Sequence, residues 1–187
     1  AEKAAKEAEK KRAEASSIQP GVPIGTQEPN AEEKVVYLTF DDGPSANTEK
    51  ILDILEQYDA KATFFITGMR EEYRPLIKTA YEEGHTIGLH TYSHDYAGVY
   101  SSVDAYFEDL DKIGKVAEEQ IGYVPCFIRF PGGSSNAVSK KYTQGIMTEL
   151  VTDVQEKGYQ YYDWNLDSGD GAGQSVEELE TNSMTDR

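Results

Sequence analysis

Segments with the character of buried strands alternate along this chain with segments of helical spacing. Strand-like runs of β-branched and aromatic residues occupy five stretches: 35–40, 62–66, 86–89, 127–130 and 159–164. Between them, apolar residues recur at the i, i+3 and i+4 positions of an amphipathic helix, for example at Ile51, Ile54 and Leu55. Repeated strand–helix units predict an α/β domain with a mainly parallel sheet, open or rolled into a barrel.

The first 32 residues differ in composition from the remainder. Residues 1–15 are nearly all Ala, Glu, Lys and Arg, which predicts a solvated helix without an apolar face. The stretch at 16–30 is rich in Pro and Gly and predicts an extended linker. We therefore expect a charged helical and Pro-Gly linker at 1–32 and one folded domain at 33–187.

The charge balance limits the partners of the chain. A formal net charge of −16 argues against nucleic acid, whose phosphates must be met by Lys and Arg. Anionic polymers and lipids would also be repelled, so a neutral substrate fits better. The sequence has no run of ~18 apolar residues, so no membrane span is predicted. The single cysteine, Cys126, excludes an intrachain disulfide.

Carboxylate and imidazole side chains follow two of the predicted strands. Asp41 and Asp42 come directly after the first strand, and His90 and His94 follow the third. In parallel α/β sheets, the loops at the carboxyl ends of the strands carry the binding and catalytic residues. Each pattern also has a simpler explanation: Asp-Gly-Pro is common turn chemistry, and two histidines four residues apart can be ordinary surface side chains.

Together, these four side chains suit a catalytic metal site. Two imidazoles and one carboxylate supply three ligands and leave an open coordination position, which is typical of catalytic sites. A divalent ion in such a site lowers the pKa of a bound water and polarises a carbonyl group. The second carboxylate can then act as general base. The alternative is a structural metal site without catalysis.

An arginine lies at the end of the fourth predicted strand, and a glycine-rich turn follows it. Arg129 would bring a fixed positive charge to the same edge of the sheet, and exposed N–H groups in the turn at 131–134 are suited to binding an oxyanion. Three acids, Asp163, Asp167 and Asp170, lie at and after the end of the fifth strand. We expect one of them to pair with Arg129; a solvated acidic loop is the alternative.

The segments TFDDGP (39–44) and GHTIGLHTYSH (84–94) resemble the first two motifs of the polysaccharide deacetylases, carbohydrate esterase family 4, in order, spacing and position at strand ends. The resemblance covers roughly residues 34–171. It implies a distorted (β/α) barrel. It also implies hydrolysis of N-acetyl groups from GlcNAc polymers such as peptidoglycan and chitin, or of O-acetyl groups from xylan.

The same resemblance implies roles for the first two motifs. Asp41 would be the catalytic base, and Asp42, His90 and His94 would be the metal ligands. The implied cofactor is a divalent metal, with Zn²⁺ expected first and Co²⁺, Ni²⁺ or Mn²⁺ as alternatives.

Two later segments resemble the third and fourth motifs. Arg129 would orient the base, Pro131 and Gly132 would line the substrate and oxyanion site, and the Gly132 N–H would bind the oxyanion. Asp170 would be the carboxylate partner of Arg129.

The chain departs from the family pattern at three points. An aromatic residue is usual at the position of Gly132, so one wall of the groove is expected to be missing. Gly171 stands where the fourth motif has Trp, and no histidine follows His94 to act as general acid. We therefore expect 33–187 to be a C-terminally truncated deacetylase domain that lacks the last strand or strands of the barrel, binds metal and turns over poorly.

The resulting functional hypothesis is a metal-dependent hydrolase that removes N-acetyl groups from a GlcNAc-containing glycan, peptidoglycan first. An O-acetyl xylan esterase of the same family and a catalytically impaired carbohydrate-binding homologue are the alternatives. The resemblance also implies an extracellular or cell-wall location, with an N-terminal anchor ahead of the linker.

Overall fold

The computed structural model describes residues 2–18 and 35–185. Five parallel strands form one sheet in sequential order: β1 (Leu38–Gly43), β2 (Ala62–Ile66), β3 (Thr86–Leu89), β4 (Phe127–Ile128) and β5 (Gln160–Tyr161). The predicted α/β class with a parallel sheet is confirmed. Within the described residues, β1 and β5 are the two edges of the sheet and do not pair, so the barrel is not closed.

Helices precede, connect and follow the strands, and those in the connections pack against one face of the sheet. They are α1 (Glu2–Ser16), α2 (Thr48–Gln57), α3 (Pro75–Glu82), α4 (Tyr96–Val99), α5 (Val103–Ile121), α6 (Ile146–Glu156) and α7 (Val176–Thr185). Short 3₁₀ turns lie at Glu71–Tyr73, Ser139–Lys141 and Asp170–Ala172. In the part of the chain that the structure describes, no helix combines the length and apolar character that a membrane crossing requires.

The core lies between the sheet and the helices. Alternate residues of a strand face opposite sides of a sheet, so β2 directs Phe64 and Ile66 toward the helices. The long helix α5 is capped by the Ser102 hydroxyl, which accepts from the Ala105 N–H at 3.0 Å, and ends at Gly122, where φ is +83°. Its most deeply buried side chains include Tyr106, Leu110, Ile113 and Ala117.

Several boundaries differ from the sequence prediction. β1 begins at Leu38 rather than at 35, and it continues through both acids because Asp41 lies opposite Phe65 of β2 in the parallel register. β4 and β5 are each two residues long. The helix α4 was not predicted, since four residues are too few to show a helical period. Its first turn is capped by the Asp95 carboxylate, which accepts from the Ala97 and Gly98 N–H groups.

The end of α1 is attached to the domain rather than solvated along its whole length. The Arg12 guanidinium stacks 4.0 Å from the centre of the Tyr81 ring and donates to the Tyr81 carbonyl at 2.7 Å. The Ser16 carbonyl accepts from the Cys126 N–H at 2.8 Å, directly before β4. The expected boundary between linker and domain at residue 32 lies among residues outside those described and stays a prediction.

The face of the sheet opposite the core holds an aromatic ring that supports a buried cation. Phe65 of β2 is buried, and the Arg129 guanidinium lies 4.3 Å from the centre of its ring. A Cβ atom on Gly88 of β3 would lie 2.5 Å from Phe65 Cδ1 and 3.2 Å from the Phe127 carbonyl oxygen. The ring can therefore lie across β3 only because residue 88 has no side chain.

We expect Gly88→Ala to lower the free energy of unfolding by about 1–3 kcal/mol, because the new methyl group overlaps a buried ring and a backbone oxygen. Urea denaturation of the metal-free protein measures this loss. Gly171→Ala is the matched control, since nothing lies within 4 Å of its added Cβ. Equal unfolding free energies for the two variants would contradict the packing described for Phe65.

Candidate metal and catalytic site

The two acids at the end of β1 face the same imidazole. In a regular strand, adjacent side chains point to opposite faces. Here the register with β2 shifts between Asp41 and Gly43, and Asp42 has a left-handed φ of +64°. As a result, Asp41 Oδ2 lies 4.0 Å and Asp42 Oδ1 lies 3.6 Å from His90 Nε2. The irregularity at the strand end therefore turns both carboxylates into one site.

His90 is fixed in a single orientation at the end of β3. Its backbone N–H donates to the Ile66 carbonyl at 2.8 Å, and its ring is buried. Its Nδ1 lies 2.7 Å from the Arg129 carbonyl oxygen, which can only accept, so Nδ1 carries the proton. The lone pair of Nε2 then faces the carboxylates. Burial lowers the pKa of His90, and Asp41 acts in the opposite direction, so burial favours the neutral, ligating imidazole.

His94 reaches the same place through a loop and not through a helix. A helical segment is the simplest way to bring two histidines four residues apart onto one face, but residues 90–94 are not helical. Left-handed φ values of +65° at Thr91 and +50° at His94 bend the chain instead. The ring centres of His90 and His94 are 4.9 Å apart. His94 Nε2 lies 3.4 Å from Asp42 Oδ1.

The predicted ligands form a cluster of metal-binding dimensions. One ligand atom from each of Asp42, His90 and His94 lies within 4.8 Å of the others. Two ligands about 2.1 Å from an ion at a tetrahedral angle are separated by about 3.4 Å. The separations of 3.4 and 3.6 Å from Asp42 Oδ1 to the two imidazole nitrogens match that value. The N₂O donor set and its spacing therefore fit a divalent ion such as Zn²⁺.

Arg129 is buried beside the cluster and contacts Asp41. Its Nη1 donates to Asp41 Oδ1 at 2.9 Å and to Thr39 Oγ1 at 2.8 Å. Its Nε donates to the Tyr162 carbonyl at 3.0 Å, and its Nη2 donates to the Asp163 carbonyl at 3.1 Å. One carboxylate oxygen of Asp41 is thereby held, and the other is directed toward His90.

The expected pairing of Asp170 with Arg129 is not found. Asp170 begins the exposed 3₁₀ turn Asp170–Ala172, and its carboxylate accepts from the Ser168 hydroxyl at 2.9 Å. The hydrogen bonds that the structure gives Arg129 already use four of the five N–H groups of a guanidinium. Two backbone carbonyls take the place that was assigned to the Asp170 carboxylate.

The turn after β4 contains a backbone N–H group that is not hydrogen-bonded within the described residues. Gly132 and Gly133 have φ values of +76° and +83°, a region that favours glycine. The Pro131 carbonyl accepts from the Tyr100 hydroxyl at 2.8 Å, and the Gly133 N–H donates to the Phe130 carbonyl. The Gly132 N–H has no acceptor among the described residues. It is therefore available to a bound oxyanion.

Two aromatic residues that the sequence did not point to line this turn. A Cβ atom on Gly132 would lie 2.9 Å from the Tyr96 hydroxyl oxygen, so Tyr96 fills the space where a groove wall was expected to be missing. The Tyr96 ring also packs edge-on against His94, at 5.6 Å between centres. Trp164 lies 3.3 Å from the corresponding Cβ position of Gly133. Trp164 is the single Trp of the chain, and this was the one sequence feature that could have drawn attention to it.

A cleft of about 410 Å³ opens next to the two aspartates. It is wide and mostly polar, as expected for a hydrophilic substrate. Besides Asp41 and Asp42, its lining includes Gly43, Ser45, Ala46, Asn47, Arg70, Glu72 and Tyr73.

The chain matches the family model described as polysaccharide deacetylase over residues 28–150. A peptidoglycan-N-acetylglucosamine deacetylase of Bacillus cereus is 36% identical over 160 residues, which cover 83% of this chain and 55% of that protein. A second one from the same organism is 39% identical over 152 residues, which cover 79% of this chain and 65% of that protein. The chain thus spans between about half and two thirds of the length of these relatives.

Solved structures agree with this assignment. The catalytic domain of the peptidoglycan N-acetylglucosamine deacetylase from Eubacterium rectale superposes with a TM-score of 0.82 at 42% identity, covering 86% of this chain and 74% of that one. A polysaccharide deacetylase from Bacillus cereus gives a TM-score of 0.71 at 32% identity, covering 82% of this chain and 74% of that one. With its sheet, its strand-end motifs and these relatives, the chain belongs to the polysaccharide deacetylase family.

Proposed function

We propose that this chain is a metal-dependent deacetylase domain that removes N-acetyl groups from a GlcNAc-containing polysaccharide. One observation carries the proposal: Asp41, oriented by Arg129, lies next to the cluster of Asp42, His90 and His94. A base beside three metal ligands is the arrangement that hydrolysis of an acetamide needs. The named activity of the relatives from Bacillus cereus and Eubacterium rectale supports peptidoglycan as the first substrate to test.

Zn²⁺ is the metal we propose for the cluster, with Co²⁺, Ni²⁺ or Mn²⁺ as alternatives. Two imidazole nitrogens and one carboxylate oxygen are ligands that Zn²⁺ accepts readily, and three protein ligands leave one position open. When bound there, such an ion supplies Lewis-acid activation of the acetyl carbonyl and of a water molecule.

The chain's own residues supply the proton acceptor. Asp41 Oδ1 accepts from Arg129, so the carboxylate cannot turn away from the cluster, while Oδ2 lies 4.0 Å from His90 Nε2. Oδ2 is therefore the atom that takes a proton from the attacking water. His90 keeps its ligating nitrogen free because the Arg129 carbonyl holds the proton on Nδ1.

The glycine turn supplies the oxyanion donor. The Gly132 N–H is unengaged within the described residues, and Gly132 lies next to Tyr96, whose ring packs against His94. A backbone N–H held in a rigid turn stabilises negative charge on the carbonyl oxygen without reorganisation. Tyr96 and Trp164 form the walls that place the acetyl group against it.

A carbohydrate-binding homologue with impaired catalysis is the second candidate. The reason to test it is that a leaving amine needs a proton donor, and the residues assigned above are a base, metal ligands and an oxyanion donor. The net charge of −16 further favours a neutral oligosaccharide over an anionic polymer. We also propose that the protein acts outside the cell or at the cell wall, where such glycans are found. Oligosaccharide binding without acetate release would support the second candidate.

We expect His94→Ala to weaken Zn²⁺ binding by more than the roughly 10–100-fold that loss of a supporting residue costs, because it removes a ligand. Isothermal titration calorimetry with Zn²⁺ measures the affinity. His85→Gln is the matched control, since His85 lies at the other end of β3 and its Nδ1 accepts from the Ala62 N–H at 3.2 Å. Comparable loss of Zn²⁺ affinity in both variants would remove His94 from the ligand set.

Asp41→Asn is expected to reduce acetate release from GlcNAc oligomers by about 10²–10⁴-fold, because the amide cannot act as a base. Zn²⁺ affinity should persist, since Asp41 is not among the three clustered ligands. Acetate release and calorimetry are measured on the same preparations. Asp53→Asn, an exposed change on α2, is the control.

Two outcomes have separate meanings. If Asp41→Asn loses Zn²⁺ binding together with activity, Asp41 is a ligand and not the base. If the unaltered chain binds Zn²⁺ and oligosaccharide but releases no acetate, the deacetylase proposal is wrong and the binding homologue is supported.

A further inference from the structure

The loop that joins the two histidines is not stabilised by regular secondary structure. Thr91 and His94 have left-handed φ values of +65° and +50°, which cost side-chain-bearing residues of the order of 1 kcal/mol each. The Gly68 N–H donates to the Tyr92 carbonyl at 2.9 Å, so one carbonyl of the loop is held from the β2 side. The bend that brings His94 back onto Asp42 therefore needs support for its N–H groups.

That support comes from one buried carboxylate on another element. Asp109 Oδ1 accepts from the Tyr92 N–H at 2.6 Å and from the Ser93 N–H at 3.0 Å. These are the two residues in the middle of the loop between the histidines. Hydrogen bonds to a carboxylate are shorter and stronger than bonds between neutral groups. A single oxygen thus ties two consecutive peptide units.

Asp109 belongs to a helix that is packed in the core. It lies in α5, and the residue is 9% exposed. The neighbouring Leu110 and the nearby Ile113 are fully buried in the core, and α5 packs against both α3 and β3. The carboxylate is therefore fixed relative to the strand that ends in His90.

We propose that Asp109 is a positioning residue for the metal centre, which holds the loop 91–94 in the conformation that brings both imidazoles onto Asp42. The proposal rests on the metal site of the proposed function but needs no catalysis. Without this acceptor, two N–H groups would lie beneath the loop with no partner, at a cost that favours rearrangement of the bend. His90, directly after β3, would stay bonded to the Ile66 carbonyl, and His94 would lose its fixed position.

The test compares Asp109→Ala and Asp109→Asn with Asp111→Asn, which makes the same side-chain change at an exposed site on the same helix. Zn²⁺ affinity is measured by calorimetry, and the visible absorption of bound Co²⁺ reports the geometry of the ligands. We expect Asp109→Ala to bind Zn²⁺ about 10–100-fold more weakly and to change the Co²⁺ spectrum. Asp109→Asn, which keeps a neutral acceptor, should fall between it and the unaltered protein, and Asp111→Asn should match the unaltered protein.

Hydrogen exchange of the metal-free, unaltered protein gives a measurement that does not depend on how the variants fold. The Tyr92 and Ser93 amides should exchange slowly although they belong to a loop, because the Asp109 carboxylate occupies them. Rapid exchange of both amides in the folded protein overturns the proposal. Unchanged Zn²⁺ affinity and Co²⁺ spectrum in a folded Asp109→Ala also overturn it. None of these readouts involves acetate release, so failure of the proposed deacetylase activity would be recognised separately.

Discussion

The architecture depends on how the buried charge of Arg129 is compensated. A guanidinium that is 3% exposed costs several kcal/mol unless its N–H groups find partners. Those partners come from both edges of the sheet: Thr39 and Asp41 belong to β1, and the Tyr162 and Asp163 carbonyls follow β5. The edges do not pair with each other, yet they meet at this one side chain. Compensation of the charge therefore holds the two edges of the open sheet near each other at its carboxyl end, where the predicted metal ligands lie.

Much of this arrangement could be predicted because local patterns carry it. Strand-like runs and helical spacing located all five strands and their order of connection, since burial imposes a period on each element. The pairs Asp41–Asp42 and His90–His94 were visible because they directly follow strands, and parallel strands bring their carboxyl ends to a common edge. The spacing did not reveal that the histidines meet through a left-handed loop.

The remaining features depend on contacts between distant segments, which local patterns do not record. Asp170 was matched to a motif position, but the backbone carbonyls that follow β5 reach Arg129 first. Tyr96 fills the space beside Gly132 only because a short helix follows His94. Asp109 is one of many acids on α5, and only its burial beneath the histidine loop distinguishes it. An acidic composition conceals a single important carboxylate among many solvated ones.

Arg129 also contacts the site through its backbone. Its side chain holds Asp41, and its carbonyl oxygen holds the proton on His90 Nδ1. The proposed base and one proposed metal ligand are thus both held by Arg129. Because both contacts go to Arg129, we expect flexing of the sheet edges to change the distance between Asp41 and His90 less than the distance between the strands. A sheet that is not closed by hydrogen bonds can in this way keep a site whose tolerances are tenths of an ångström.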